Sequence, residues 1–304
     1  MISLLPVSSS YWFEKNNLQF PNPQVLEPLW QSLLNMAWVV EARDPYSGGH
    51  LWRVSQYCRL LSMALGMDKA DVARITLAGF LHDLGKVGIA DVVLKKPTRL
   101  TESEYDLVKT HPSIGVRIIA GHPLAPLIET AILQHHERPD GAGYPDGLDD
   151  ENISSDSRIV SICDAFDAMT STRPYRRGLS PEKALKVIKF NLHTQFDGNF
   201  GHVFLELGRS GKFFPIIGHS DLGIPLQECL LCGPTIALRR DHQSGDPVYC
   251  PNCGSEAVVE KSNNQWWICP TGRRGSASDL QPEVDVDLIH DLVSMNVANL
   301  VFAQ

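Results

Sequence analysis

The chain has 304 residues, with 27 Lys and Arg against 35 Asp and Glu, a formal charge of 27 − 35 = −8 with His neutral. That balance excludes a general binder of nucleic-acid backbone, which needs a basic face, and leaves room only for a small phosphate ligand in a local basic pocket. At 43% hydrophobic and 20% charged residues, the chain can bury one ordinary core and a smaller second one.

Residues 1–28 are rich in Pro, Asn and Ser and read as an irregular N-terminal arm. They lack the basic n-region of a signal peptide. No apolar stretch nears the ~20 residues of a membrane span, so no membrane partner is expected. Residues 29–215 carry helical patterning. From His50 to Gly66, Leu51, Val54, Cys58, Leu61 and Leu65 recur at steps of three and four, one apolar stripe of a helix. Val72 to Leu84 continues in the same way. Thr101 with Glu104 is a capping-box signature for a helix through Thr110. Leu148 to Ser157 is polar and reads as a loop. Ser180-Pro181 marks another helix start, a hydroxyl N-cap followed by Pro in the first turn. After Phe213, Gly, Pro, Cys and short apolar runs take over, placing a boundary near residue 215. Residues 216–304 read as a small β-rich unit, with an amphipathic helix over about Glu283 to Phe302. The fold class is mainly α with a small β-rich C-terminal domain.

Chemistry-bearing residues are scattered along the helical part. His82-Asp83 sits in GFLHDLGKVG, and Lys86 follows His82 by four, on the same face of a continued helix. His50, His111 (in THPSIG), the pair His135-His136, and Asp164 are further candidates. Any single His is more often structural than a ligand. An adjacent pair is harder to dismiss, because two imidazoles need partners or cost stability. A carboxylate beside imidazoles suits Fe, Mn or similar divalent ions.

These blocks taken together resemble the HD-GYP branch of the HD phosphohydrolases. The matching residues are His82-Asp83, His135-His136-Glu137, Asp140-Gly141-Ala142-Gly143-Tyr144-Pro145, and the run Asp164 to Arg176, DAFDAMTSTRPYR. The resemblance covers roughly residues 31 to 210 and implies an HD-type helical bundle. It implies metal ligands at His82, Asp83, His111, His135, His136 and Asp164, with Asp83 bridging two ions, and it implies His50 as a further ligand or a substrate-facing group. Some family members carry a Glu four residues before that His and hold a third ion. Tyr46 stands there in this chain, and a phenol is a far poorer ligand than a carboxylate near neutral pH. Two ions, iron or manganese, are therefore expected. Lys86, Tyr144, Arg173 and Arg176 are the implied substrate-binding residues, with Asp83 and Lys86 in the catalytic set. Arg offers phosphate a bidentate fork. Alternatively, the two arginines pair with Asp164 or Asp167, and Asp167 orients ligands or Arg side chains. The Asp140–Pro145 loop either walls the site or plugs it, with Gly141 and Gly143 free to take positive φ. In the family it is linked to contacts with GGDEF domains.

Cys229, Cys232, Cys250 and Cys253 form C-x2-C-x17-C-x2-C, a zinc-ribbon spacing for one structural Zn. Two CxxC pairs with no export signal favour metal over disulfides and a reducing cytoplasm. Cys269 belongs to an incomplete second knuckle or packs in the core. The implied activity is metal-dependent hydrolysis of cyclic di-GMP to a linear dinucleotide or to GMP. The alternatives are a non-hydrolysing cyclic-dinucleotide receptor signalling through the zinc ribbon, and a phosphodiesterase for another cyclic dinucleotide such as cyclic GMP-AMP.

Overall fold

A computed structural model describes residues 23–301 apart from Pro45, Tyr46, Pro97, Pro174, Tyr175, Pro234, Asn264 and Pro282. Most of the expected arm lies outside the described residues. From Pro23 the chain is helical, six residues earlier than the expected start at 29.

Helix α1, Pro23–Glu41, contains Pro28 near its start and buries Trp30, Leu33, Leu34 and Ala37 along one face. Helix α2, His50–Ala64, buries the expected stripe of Leu51, Val54, Cys58 and Leu61. Helix α3, Lys69–Leu81, starts where the Asp68 carboxylate accepts the Asp71 N–H at 2.8 Å. It stops at Leu81, three residues short of expectation, and a 3-10 turn follows over Leu84–Gly88. Gly85 explains that turn. A Cβ there would lie 1.8 Å from the His111 carbonyl oxygen and 2.5 Å from the Gly115 nitrogen. Only glycine lets the turn press backbone to backbone on the helix that carries His111.

After the short α4, Asp91–Leu94, helix α5, Glu102–Val108, opens on the expected capping box, with both reciprocal hydrogen bonds formed. Helix α6 is His111–Ile119, with Pro112 in its first turn, and α7 is Ala125–Gln134. Helix α8, Ser155–Thr170, begins inside the segment read as a loop, because the Ser154 hydroxyl accepts the Ser157 N–H at 3.2 Å and caps it. Helix α9, Pro181–Phe190, is capped by Ser180, and α10, Gly198–Arg209, by Asp197. Tyr57, Phe166, Phe204 and Phe213 knit α2, α8 and α10 together, ring centroids 4.6–5.4 Å apart.

Seven short strands follow: β1 His219–Asp221, β2 Ile224–Pro225, β3 Gln227–Glu228, β4 Thr235–Ile236, β5 Pro247–Tyr249, β6 Ser255–Ser262 and β7 Gln265–Arg274. They form two hairpins, β1-β2 and β3-β4, and an antiparallel sheet in the order β5-β6-β7. Ile224, Cys229, Ile236, Leu238, Val248, Cys250, Ala257 and Val259 make a small separate core. The last helix, α11, Val286–Val301, does not join it. Its Leu288, Ile289, Leu292, Val293, Val297 and Leu300 pack into the helical core, against α1 and α3. The expected unit 216–304 thus contains one element whose apolar face belongs to the other core. Among the described residues, no helix is long and apolar enough to cross a membrane.

Candidate metal centres

Four elements deliver imidazoles to one place: the start of α2 (His50), the end of α3 (His82), the start of α6 (His111) and the end of α7 (His135-His136). Three of them share one orienting device. Nδ1 of His82, His111 and His135 lies 2.7–2.8 Å from the carbonyl oxygen three residues back, that of Gly79, Val108 and Ile132. A carbonyl only accepts, so each Nδ1 carries the proton and each Nε2 presents a lone pair inward. His50 is oriented instead by Asp167, Nδ1 to Oδ2 at 2.8 Å.

The donors fall into two groups. His111, His135 and His136 form one, and His50, His82 and Asp164 the other, with ligand atoms inside each group within 4.8 Å of one another. Asp83 stands between them. Its Oδ1 lies 3.4 Å from His111 Nε2, and its Oδ2 lies 3.3 Å from His82 Nε2 and 3.5 Å from His50 Nε2. Every histidine and aspartate put forward from sequence as a ligand is therefore in this cluster. Tyr46, on which the two-ion expectation turned, lies outside the described residues.

Three observations fit this donor set to divalent ions. His82 Nε2 is buried and has no hydrogen-bond partner. The Nε2 atoms of His111 and His135 face each other at 3.1 Å, two lone pairs that repel without a cation nearby. Burial lowers the pKa of His111 to about 4 and of His136 to about 3, and holds His135 well below the ordinary range. Neutral imidazole is the form that ligates metal. His50 differs. Burial opposes its charge, but hydrogen bonds to Asp167 and Asp83 prevail and raise its pKa to about 9.

Lys86 corrects one expectation. Because α3 ends at Leu81, His82 and Lys86 share no α-helical face. The lysine turns instead to Asp83, Nζ to Oδ2 at 2.5 Å. Arg173 pairs with Asp44 at 3.3 Å, and Arg176 donates to the Ala168 carbonyl at 2.5 Å, so neither holds Asp164 or Asp167. Tyr144 stacks on His136, centroids 4.7 Å apart at 28°. Burial pushes its phenol pKa up, so it stays neutral. In the same loop Gly141 has φ 73°, whereas Gly143 is needed for space: a Cβ there would meet Arg138 N and Glu137 Cα at 2.5 Å.

Sequence reasoning missed three supporting residues. Arg53, 2% exposed, forks onto Asp167 with contacts of 2.6 and 2.9 Å. Glu41 accepts the N–H groups of His50 and Leu51 at 2.8 and 3.3 Å. Glu137 accepts three, from Asp146, Gly147 and Leu148, and so closes the Tyr144 loop. Arg53 and Glu41 carry no local sequence signal. Glu137 does, adjoining the histidine pair.

The second cluster is made of thiols. Sγ separations are 3.7 Å for Cys229–Cys253, 3.7 Å for Cys229–Cys232 and 3.5 Å for Cys232–Cys250. Four thiolates about 2.3 Å from a tetrahedral ion stand about 3.8 Å apart, so the cluster is sized for Zn. The two halves match: the Gly233 N–H donates to the Cys229 carbonyl and the Gly254 N–H to the Cys250 carbonyl, both at 2.9 Å. Cys269 is exposed on β7 opposite Val258, in neither a second knuckle nor a core.

Comparison with known proteins gives a concordant result. Residues 35–200 match the family described as HD domain. The chain is 38% identical over 161 residues to a 3'3'-cGAMP-specific phosphodiesterase of Vibrio cholerae, covering 52% of this chain and 35% of that protein. It is 39% identical over 169 residues to the cyclic di-GMP phosphodiesterase response regulator RpfG of Xanthomonas campestris, covering 55% and 45%. It is 40% identical over 177 residues to a cyclic di-GMP phosphodiesterase of Thermotoga maritima, covering 58% and 48%. The chain spans less than half the length of each of these relatives.

Proposed function

This chain belongs to the HD-domain family, and on that premise we propose that it is a metal-dependent phosphodiesterase that hydrolyses a cyclic dinucleotide, cyclic di-GMP first, to the linear dinucleotide or to GMP. The observation that carries this reading is the pair of donor groups that meet at Asp83, with Nε2 of His82, His111 and His135 aimed inward. Their mixed nitrogen and oxygen donors suit iron or manganese. Held by these residues, two such ions would supply hydroxide at neutral pH and would offset charge on the phosphate.

The chain's own groups then divide the remaining work. Lys86 sets a positive charge beside Asp83 and Asp164, and both carboxylates hold it protonated against the cost of burial. It is placed to steady an anionic substrate oxygen. Arg173 lies close enough to Lys86 to oppose its charge, and the two together make a cationic mouth for phosphate. Arg176 fixes the backbone of that segment through Ala168. Tyr144, held neutral over His136, offers an aromatic wall and a hydroxyl. The four cysteines hold one structural Zn in the same reading, the compartment is the cytoplasm, and the Asp140–Pro145 loop is the surface for a GGDEF-domain partner.

A second substrate, cyclic GMP-AMP, is favoured by the name of the Vibrio cholerae relative. The test uses anaerobically purified protein, with Fe, Mn and Zn counted per chain, assayed on both nucleotides beside His82→Ala/Asp83→Ala. Hydrolysis that the double variant loses supports the enzyme and identifies the substrate. Tight binding without turnover under any metal makes the protein a receptor.

A further inference from the structure

We infer that Arg53 is a positioning residue that couples the cysteine-bearing strands to the metal centre, so that the state of the thiol site sets the placement of His50. The inference rests on His50 being a metal ligand, as proposed above.

The guanidinium of Arg53 faces two ways. Nε and Nη2 fork onto Asp167, and Asp167 Oδ2 orients His50 through Nδ1. Nη1 donates to the carbonyl oxygens of Gly48 and His219, both at 3.0 Å. His219 opens β1, the first strand of the cysteine-bearing part. β1 is itself tied to the thiol core: the Ser220 hydroxyl donates to the Leu238 carbonyl at 3.0 Å, and Leu238 packs with Cys229 and Cys250. An unbroken series of contacts therefore runs from the thiol core through Ser220, the His219 carbonyl, Arg53 and Asp167 to His50.

The backbone reinforces it. Gly49 immediately precedes His50 with φ 72°, and a Cβ there would meet the Ser220 Cα at 2.8 Å, Arg53 Nη1 at 2.9 Å and the His219 oxygen at 3.0 Å. β1 thus lies directly on the residue before the ligand. Beside this contact the seam opens into a cavity of about 450 Å³ bordered by Glu41, Gly49, Ser220 and Leu238. β1 therefore bears on the start of α2, and a shift of β1 is felt at His50. An arginine that served only to neutralise Asp167 would need no bond to β1.

The test uses the full chain loaded with Mn, reading amide hydrogen exchange over residues 49–54, Mn affinity, and the Mn resonance spectrum. Cys232→Ser/Cys253→Ser, which removes Zn, is expected to speed exchange over 49–54 and to weaken Mn binding by about tenfold or more, the scale of losing an outer-sphere partner. Gly49→Ala, which keeps all four thiols, is expected to do the same with Zn retained. In Arg53→Lys, which keeps the charge but loses the fork, the cysteine substitutions are expected to add nothing further. Faster exchange confined to residues 219–274, with 49–54 and Mn affinity unchanged, would overturn the inference. If the cysteine variant does not fold, wild-type Mn affinity and exchange in Gly49→Ala would overturn it instead. These readouts need no substrate turnover, so the coupling stands or falls apart from the proposed activity.

Discussion

Asp167 accepts from His50 across 117 residues of sequence, Oδ2 to Nδ1 at 2.8 Å, and so turns Nε2 of that ring toward Asp83 and Asp164. The same carboxylate neutralises the buried Arg53. Although burial opposes ionisation, Arg53 and His50 hold its pKa well below the usual carboxylate range. Asp167→Ala removes both services. Metal affinity is expected to fall about 10–100-fold. Leaving Arg53 buried without its counter-charge is expected to cost on the order of 3–5 kcal/mol. A manganese titration and a urea melt measure the two effects separately.

Lys86→Ala leaves every proposed metal ligand in place and removes a fixed positive charge. A catalytic role predicts a loss of about 10²–10³ in kcat, the usual cost of removing one preorganised donor to a developing anion. Metal content should stay at the wild-type level. Steady-state kinetics with metal analysis on the same sample checks both.

At the thiol cluster, wild-type protein should carry one Zn per chain, and a chelator should remove it. The small core around Val248, Ala257 and Val259 should then loosen while most far-ultraviolet helix signal persists, because few apolar groups hold those strands together. Cys269→Ser should leave Zn content unchanged, since that thiol lies outside the cluster. A fall in Zn in that variant would refute the assignment of ligands.

The short helix α5 should respond to acid. Hydrogen bonds from Lys96, then from the Thr101 backbone, lower the Glu104 pKa from 4.5 to about 2. A depressed carboxylate stabilises the fold above its unfolded pKa, so the full benefit is present above about pH 4.5. It is lost as pH falls toward 2. Amide protection over residues 101–108, taken relative to the intrinsic exchange rate at each pH, should fall through that window in the wild type. Glu104→Gln, which titrates nowhere, should show no such step.

How far the sequence disclosed all this depended on distance along the chain. Thr101 with Glu104 and Ser180 with Pro181 were legible because a cap is a relation over three residues. The clustered histidines and aspartates were legible because their blocks are short and characteristic. The end of α3 was not, since nothing in Leu81-His82-Asp83 breaks a helix. The stop comes from Gly85 meeting His111 and Gly115, a contact between segments 26 to 30 residues apart. Arg53 was hidden for the same reason: its partners, Asp167 and the His219 carbonyl, lie 114 and 166 positions away. The amphipathic stripe of α11 told that one face is covered but not by what.

That last helix has a consequence during synthesis. α1 and α3 cannot cover the part of their apolar faces that meets α11 until Val286–Val301 has left the ribosome. The start of α11 lies 245 positions after the end of α1, about 12–50 s of translation at ordinary rates of roughly 5–20 residues per second. The cysteine strands emerge whole before that closure. They are thus available to take up metal while the helical bundle is still open, and a released chain truncated before residue 286 should hold its thiol cluster formed but its helical core unsealed.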